Sequence, residues 1–178
     1  MFEEKKIKDL RIAQNLSLKQ LSDKSGVSVS MISQIERKKT DPTLTTLYKI
    51  CNGLGVSISS FLESDDQSTH IVRKDQRKTL NFPKSHSKYE LLTPITDGNI
   101  EMIRIYLEPG QEDQQLVKHA GEECGHMLEG EMTIVLGDKQ HTLHEGDTIR
   151  FDSNVPHRFL NHTDKTAISI WAMTGRIL

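Results

Sequence analysis

Apolar residues in the first third of the chain recur every three or four positions, the spacing of amphipathic helices. Ser17, followed three residues later by Gln20, forms a capping-box pattern, and Ser28 offers a second helix cap. Gly26 and Gly55 each follow an apolar-periodic segment and predict its end. The pattern predicts five short helices within about sixty residues, which is enough for a small bundle with one core.

The period changes to two in the second part of the chain, where short alternating runs are separated by glycine-containing turns. Short runs with this spacing are typical of an antiparallel sandwich or barrel. The clearest runs are Ile100–Leu107, Met132–Leu136, Thr148–Phe151 and Ala167–Met173. The chain is therefore predicted to be an α + β protein with two domains: helices over residues 1–63, a polar linker over 64–70 and an all-β domain over 71–178.

Composition and charge change this picture in one respect. The 178 residues carry a net charge of −2, but residues 1–62 sum to about +4 and the remainder to about −6. A positive unit joined to a negative one suggests two domains with different partners. The charged N-terminus without an apolar signal core, the lack of a membrane-length apolar run and two widely separated cysteines all favour a cytoplasmic protein with no membrane partner.

The second and third predicted helices, joined through Gly26, form a helix-turn-helix pattern that indicates binding to double-stranded DNA. Once Ile32 and Ile35 are assigned to the core, the third helix presents polar side chains that could meet base edges. Two lysines follow the helix directly and suit contacts with phosphates. The start of the second helix offers further phosphate contacts. The predicted DNA-binding residues are Lys19, Gln20, Ser28, Ser30, Met31, Ser33, Gln34, Arg37, Lys38 and Lys39.

Four segments across residues 7–62 resemble the XRE helix-turn-helix family of bacterial regulators: 16–22, 26–28, 32–37 and 41–44. The resemblance implies a lambda-repressor-like helical bundle and an ion pair between Arg11 and Glu36, which keeps both residues off the DNA list. It departs at one position, because the family commonly has glycine after the arginine and this chain has Lys38.

The segments from Pro109 to Glu131 and from Gly146 to His157 resemble the two cupin motifs, and so imply a double-stranded β-helix barrel with a central pocket. The family pattern directs three histidines and a glutamate at a metal ion, but one histidine position is Val117 here. The remaining His119, Glu123 and His157 are the candidate metal ligands. Two interpretations stay open, a single divalent metal ion or hydrogen bonds from these three residues to a ligand or to one another.

Three more residues are candidates for the pocket lining. His126 lies in the same run as Glu123 and is either a polar wall of the pocket or a surface residue. Arg104 and Tyr106 share one face of a predicted strand, where either could anchor an anionic effector. If Ile103, Ile105 and Leu107 face the core instead, Arg104 and Tyr106 point outward, and strand parity alone does not decide between these arrangements.

The two resemblances together imply a transcriptional regulator of XRE–cupin type. Its helical domain would bind operator DNA as a homodimer, and its barrel would bind a small-molecule effector and hold the dimer together. The alternative is a mononuclear non-haem iron enzyme similar to hydroxypropylphosphonate epoxidase, which also joins a helical domain to a cupin. The basic, polar third helix favours the regulator, since an enzyme has no need of a DNA-reading face.

Overall fold

The computed structural model describes residues 4–56, 58, 70–82, 86–94, 99–112 and 116–174. The described part of the N-terminal domain contains four α-helices, so the predicted count of five is not confirmed. The predicted fifth helix lies outside the described residues apart from Ile58, which is buried. The helices are α1 (Glu4–Ala13), α2 (Leu18–Ser25), α3 (Val29–Glu36) and α4 (Leu44–Leu54).

The helices begin and end where the capping residues predict. The Ser17 hydroxyl accepts a hydrogen bond from the Gln20 amide at 3.2 Å, and the Gln20 side chain accepts one from the Ser17 amide at 2.8 Å. Gly26 ends α2 in the left-handed conformation, with φ of 69°. The buried faces then form one small core, to which each helix contributes aliphatic side chains: Ile7, Leu21, Ile32, Ile35, Leu47, Ile50 and Leu54.

The described part of the C-terminal domain contains ten antiparallel strands, as the period-two pattern predicts. They are β1 (Thr79–Phe82), β2 (Ser87–Leu91), β3 (Ile100–Leu107), β4 (Gln111–Glu112), β5 (Glu122–Glu129), β6 (Glu131–Leu136), β7 (Lys139–His144), β8 (Thr148–Asp152), β9 (His157–Asn161) and β10 (Ala167–Thr174). One sheet has the order β1-β2-β3-β10-β5-β8 and the other the order β4-β9-β6-β7. This is the two-sheet barrel architecture that the cupin resemblance implies.

Aromatic side chains fill the space between the two sheets. Trp171 on β10 is fully buried and packs against Phe159 and Phe151, with ring centroids 4.6 and 6.0 Å away. The neighbouring strand provides room for the indole because it carries glycine at position 125, where a Cβ atom would lie 2.4 Å from the Trp171 ring. The packed aromatic layer fixes β5 and β9, which carry the polar residues of the barrel interior.

The two cysteines have different environments. Cys51 lies in the helical core, as its position between Ile50 and Leu54 predicts, and burial raises the pKa of its thiol to about 12. Cys124 is exposed on β5.

The predicted linker over 64–70 lies outside the described residues except for His70, so the domain limits remain a prediction from the sequence.

Candidate functional site

Helix α3 separates cleanly into a buried and an exposed face. Ile32 and Ile35 are fully buried against the helical core, while Ser30, Gln34 and Arg37 are exposed. The Ser28 hydroxyl caps the helix by accepting a hydrogen bond from the Met31 amide at 3.2 Å. The helix therefore presents a polar outer surface whose position is set by aliphatic packing.

An ion pair between α1 and α3 fixes the orientation of α3 in the helical domain. Arg11 donates from Nε and Nη2 to the two carboxylate oxygens of Glu36, at 2.7 and 2.8 Å, and from Nη1 to the Leu16 carbonyl at 2.8 Å. The two side chains are only 12% and 6% exposed, and the hydrogen bonds to Glu36 raise the pKa of the Arg11 guanidinium. The pair that the XRE resemblance implies is thus present, and it engages both side chains within the helical domain.

The structure places most of the predicted DNA-binding residues at the surface. Lys19, Gln20, Ser28, Ser30, Gln34, Arg37, Lys38 and Lys39 are exposed, while Met31 and Ser33 are half-buried. Several already have intramolecular partners: Lys19 pairs with Asp23 at 2.6 Å, and the Gln34 amide group donates to the Ser30 hydroxyl at 3.2 Å. DNA binding would exchange these solvent-exposed contacts for contacts with the duplex.

Val29 belongs to the same outer surface but is missing from the predicted set. It is the first residue of α3, it is 38% exposed, and it lies one turn before Ser33. Residues 29, 30, 33, 34 and 37 therefore form one continuous face. Helical periodicity does not find it, because Val29 lies three residues before Ile32 and so falls on the same apolar stripe in the sequence. An apolar side chain there suits a thymine methyl group.

Lys38 stands where the XRE family commonly has glycine, and its backbone has a conformation that glycine adopts readily. Its φ is 58°, in the left-handed region, and two hydrogen bonds end the helix as in a Schellman motif. The Lys38 amide donates to the Ile35 carbonyl at 2.8 Å, and the Lys39 amide donates to the Gln34 carbonyl at 2.9 Å. The departure from the XRE pattern thus places a lysine in a left-handed conformation, which favours glycine, and adds a positive charge.

The barrel interior brings together the three residues that the cupin motifs single out. His119 precedes β5, Glu123 lies on β5 and His157 begins β9, and the side chains are no more than 2% exposed. Glu123 Oε1 lies 2.8 Å from His119 Nε2 and 3.0 Å from His157 Nε2. Backbone pairing holds the cluster in place, since Val117 exchanges two hydrogen bonds with His157 and the His119 amide donates to the Ser153 carbonyl.

Hydrogen bonds on the far side of each imidazole decide which nitrogen faces the carboxylate. Nδ1 of His157 lies 2.8 Å from the Val155 carbonyl, and Nδ1 of His119 lies 3.2 Å from the Ala120 carbonyl. A carbonyl only accepts, so each Nδ1 is the donor in this contact and each Nε2 faces Glu123. In this position Nε2 either donates a hydrogen bond to the carboxylate or offers a lone pair to a cation that the carboxylate also binds.

The residues present therefore fit a divalent metal ion. The three ligand atoms lie within 4.8 Å of one another, and both imidazoles already use Nδ1 for a backbone contact, as metal-bound histidines do. Adjacent ligands of an octahedral ion at about 2.1 Å are about 3 Å apart, which is close to the two separations from Glu123. Burial raises the pKa of the Glu123 carboxyl, but hydrogen bonds from His119 and His157 outweigh it and lower the pKa overall.

Three predicted pocket residues lie elsewhere. On β3 the buried side chains are Ile103, Ile105 and Leu107, so Arg104 and Tyr106 project from the opposite face of the sheet. There Arg104 and Lys88 both lie over the Tyr106 ring, at 5.1 and 4.7 Å from its centroid.

His126 is exposed on the outer face of β5, where its Nδ1 lies 3.0 Å from the Thr148 hydroxyl. The prediction that Arg104, Tyr106 and His126 line the barrel pocket is therefore corrected, because strand alternation turns the three side chains away from Glu123.

The cavity next to the cluster has walls from both domains. Its barrel wall is mostly apolar, with Tyr89, Ile103, Ile105, Val117, Phe159 and Met173. The opposite wall comes from α4 of the helical domain, through Leu44, Thr45 and Tyr48. The Tyr48 ring meets the His119 ring edge to face, with centroids 6.0 Å apart. Sequence patterns did not single out Tyr48, since a contact between domains has no local signature.

A capped helix-turn-helix bundle followed by a cupin barrel defines a class of DNA-binding transcriptional regulators. Residues 7–61 match the helix-turn-helix family HTH_3, and residues 103–173 match the cupin domain Cupin_2. The crystal structure of an HTH_3 family transcriptional regulator from Vibrio cholerae is 32% identical, with a TM-score of 0.68 over 96% of this chain and 93% of its own. The chain belongs to this family of regulators.

Curated relatives point the same way. The HTH-type transcriptional regulator PuuR of Escherichia coli is 29% identical over 164 residues, 88% of this chain and 86% of PuuR. SutR of the same organism is 27% identical over 161 residues, 90% of this chain and 87% of SutR. Both names are those of regulators, which supports the predicted non-enzymatic role.

Hydroxypropylphosphonic acid epoxidase from S. wedmorenis shares the fold. It is 24% identical, with a TM-score of 0.50 over 96% of this chain and 95% of the enzyme. This likeness extends to the fold alone.

Among the described residues, none of the helices is both long and apolar enough to span a bilayer.

Proposed function

We propose that this protein is a cytoplasmic, sequence-specific regulator that reads operator DNA with α3, dimerises through its barrels and responds to a small molecule bound in the barrel. Residues 1–63 are the DNA-binding domain and residues 71–178 the sensing domain. The observation that carries the proposal is the exposed polar face of α3, held by Ile32, Ile35 and the Arg11–Glu36 pair. A rigid helix with a polar outer face suits the major groove.

The contacts divide into base readers and phosphate anchors. Ser30, Ser33 and Gln34 lie in the middle of the exposed face, where Gln34 could form paired hydrogen bonds with adenine. Ser28, Met31 and Arg37 complete the edges of this face. Lys38 and Lys39 follow the helix, and Lys19 and Gln20 open α2, so these four are assigned to phosphates.

The operator is found by selection from a random duplex library with the full chain, followed by binding titrations of single variants. Gln34→Ala is expected to cost about 1–3 kcal/mol against the selected site and to relax the preference at one base pair. Gln140→Ala, an exposed glutamine on β7, is the matched control and should bind as the unaltered protein does. If Gln34→Ala and Ser30→Ala together leave binding unchanged, the assignment of the reading face fails.

The outer face of the six-stranded sheet supports a homodimer. Its central strand β10 turns Ile168, Ile170 and Ala172 outward, all half-buried, between β3 and β5. Apolar side chains at the middle of a sheet face are typical of a self-complementary interface. A symmetric dimer would place two α3 helices on half-sites about 34 Å apart, or a multiple of that distance.

Sedimentation velocity tests the interface. Ile170→Arg puts a charge at the centre of this face and is expected to convert the dimer to monomer and to weaken binding to a two-half-site operator. Val155→Arg, at an exposed turn before β9, should stay dimeric. A dimer that survives Ile170→Arg would place the interface elsewhere.

We assign the cavity beside His119, Glu123 and His157 to the effector, with one divalent metal ion held by these three residues. When bound, the ion would supply an electron-poor centre for a donor group of the effector. Binding changes DNA affinity only by the difference in effector affinity between DNA-bound and free arrangements. Metal analysis of protein purified without added metal tests this assignment, with Glu123→Gln and Glu122→Gln as the matched pair.

The iron-enzyme alternative has one observation in its favour, since two imidazoles and a carboxylate on one side of an ion are the ligand set of non-haem iron oxygenases. Oxygen uptake by the iron-loaded protein distinguishes it. The regulator predicts operator binding without sustained oxygen consumption. Stoichiometric iron with turnover, together with no preference for any duplex, would favour the enzyme.

A further inference from the structure

Helix α4 has two functional faces. Leu47, Ile50 and Leu54 are buried in the helical core, whereas Leu44, Thr45 and Tyr48 form a wall of the barrel cavity. Tyr48 reaches the metal-ligand cluster, where its ring meets that of His119 at a centroid distance of 6.0 Å. A change in the shape of the cavity therefore acts on the DNA-binding domain by direct contact.

The cavity as it stands is too small for a metabolite. Its free volume is about 40 Å³, which is room for a few water molecules, since each needs at least about 10–15 Å³. The space thus suits an ion with a few waters. A larger ligand must displace part of the wall, and the α4 wall belongs to a separate domain, whereas the barrel wall is packed into two hydrogen-bonded sheets.

A groove lies on the other side of Tyr48. Its volume is about 480 Å³, and it shares Tyr48 and Val117 with the cavity, so these two side chains separate the spaces. Lysines line it from three segments, Lys24 on α2, Lys49 on α4 and Lys118 before β5. Its lining includes no carboxylate among the described residues. A groove with this charge favours an anionic group.

We propose that the cavity and the groove form a single effector site once Tyr48 moves aside, and that this site takes an elongated small molecule with a carboxylate or phosphate at the groove end. The proposal rests on the function proposed above and specifies its effector class. The ligand's inner end lies beside His119 and its charged end beside Lys24 and Lys118. Since the site then has walls from both domains, occupancy changes the position of the helical domain relative to the barrel.

The first experiment measures binding to the full-length dimer by calorimetry at constant ionic strength. The probes are succinate, glutarate, adipate and inorganic phosphate, with straight-chain diamines of the same lengths as opposite-charge controls. At least one anion should bind saturably and the diamines should not. The double variant Lys24→Gln/Lys118→Gln should bind the anion about three- to tenfold more weakly, as loss of partly exposed ion pairs predicts.

The matched control for charge is Lys139→Gln/Lys165→Gln, two exposed lysines of the barrel far from the groove in sequence, which should leave anion binding unchanged. The anion assignment is overturned if none of the anions saturates, if the diamines bind instead, or if both double variants bind alike.

Tyr48 is tested separately, because it lines both the cavity and the groove and alanine is compatible with a helix. Tyr48→Ala removes the partition and should bind the anion more tightly, since the open state no longer has to be populated first. The same variant should show a smaller effect of the anion on operator affinity. Tyr48→Phe keeps the ring and should behave as the unaltered protein.

The outcomes separate this inference from the proposed function. If operator binding persists but Tyr48→Ala alters neither anion affinity nor the anion's effect on DNA, the composite site is wrong and the regulator stands. If the unaltered protein prefers no duplex, the proposed function fails instead.

Discussion

The helical domain and the barrel use polar side chains in opposite ways. In the helical domain the polar residues assigned to DNA, such as Gln34 and Ser30, are exposed, and the fold depends on aliphatic packing beneath them. In the barrel, His119, Glu123 and His157 are buried and satisfy one another. It follows that variants of the exposed α3 face should change DNA binding with little effect on stability, whereas variants of the buried cluster should lower stability and change effector binding.

The largest effect on stability is expected at Arg11. Its ion pair with Glu36 is largely buried in the helical domain, as the histidine–glutamate contacts are in the barrel. Arg11→Met leaves the Glu36 carboxylate 6% exposed without its partner, and the free energy of unfolding of the helical domain should fall by about 3 kcal/mol. Urea unfolding followed by far-ultraviolet circular dichroism measures it. Lys8→Met, at an exposed position of the same helix, is the control.

A double variant makes this prediction stricter. Arg11→Met/Glu36→Met removes both charges and should cost clearly less than the sum of the single variants, because neither charge is left buried alone. A loss below about 1 kcal/mol for Arg11→Met alone would mean that aliphatic packing by itself holds α3.

The second prediction compares two adjacent glutamates on opposite faces of β5. Glu123→Gln removes the charge that both buried imidazoles face and should lower the stability of the barrel by about 2 kcal/mol. Glu122→Gln affects only an exposed contact with Arg150, 54% exposed on the glutamate side, and should change stability by less than about 0.5 kcal/mol. Thermal unfolding monitored by Trp171 fluorescence reports on the barrel.

The same pair tests the comparison from the DNA side. Neither glutamate variant should alter operator affinity in the absence of an effector, because glutamine has the shape of glutamate and so leaves the α4 wall of the cavity in place. Equal stability of Glu122→Gln and Glu123→Gln would show that the cluster is not held by mutual hydrogen bonding.

The sequence predicted the helical domain well because its signals are local. Capping by Ser17 and Ser28, and termination at Gly26, depend on residues a few positions apart, and the buried stripe of Ile32 and Ile35 identifies the outer face by difference. The same reasoning missed Val29, because its position three residues before Ile32 groups it with the buried stripe. The predicted helix within 57–62 lies largely outside the described residues and remains untested.

The barrel was predicted less completely because its decisive contacts are non-local. The strand Ile100–Leu107 was found with its correct bounds, but both of its faces carry apolar residues, so parity did not settle the orientation of Arg104 and Tyr106. Pairing with β10 and β2 settles it, by placing Ile103 opposite Trp171 and Ile105 opposite Tyr89. The histidine–glutamate cluster was found only because its motif resembles that of a known family.

The smallest effect concerns Lys38, where the two demands on the helical domain conflict in one residue. A lysine in the left-handed region is strained, so Lys38→Gly should raise the free energy of unfolding by about 1 kcal/mol. The same change removes one charge next to α3 in each protomer, so operator binding should weaken. The slope of log affinity against log salt should fall in magnitude by about 0.9 per protomer, or about 1.8 for the proposed dimer. Chemical denaturation and salt-dependent binding titrations measure the two effects independently.

Lys39→Gly is the matched control, because Lys39 has the same charge but is not among the described residues with positive φ. It should weaken DNA binding similarly while stability stays constant or falls, since glycine there adds chain entropy without relieving strain. Opposite signs of the two stability changes, with like losses of DNA affinity, would mean that Lys38 sacrifices fold stability for phosphate contact. A Lys38→Gly variant that is less stable than the unaltered protein would contradict this, because the side chain would then contribute more to the fold than its backbone strain costs.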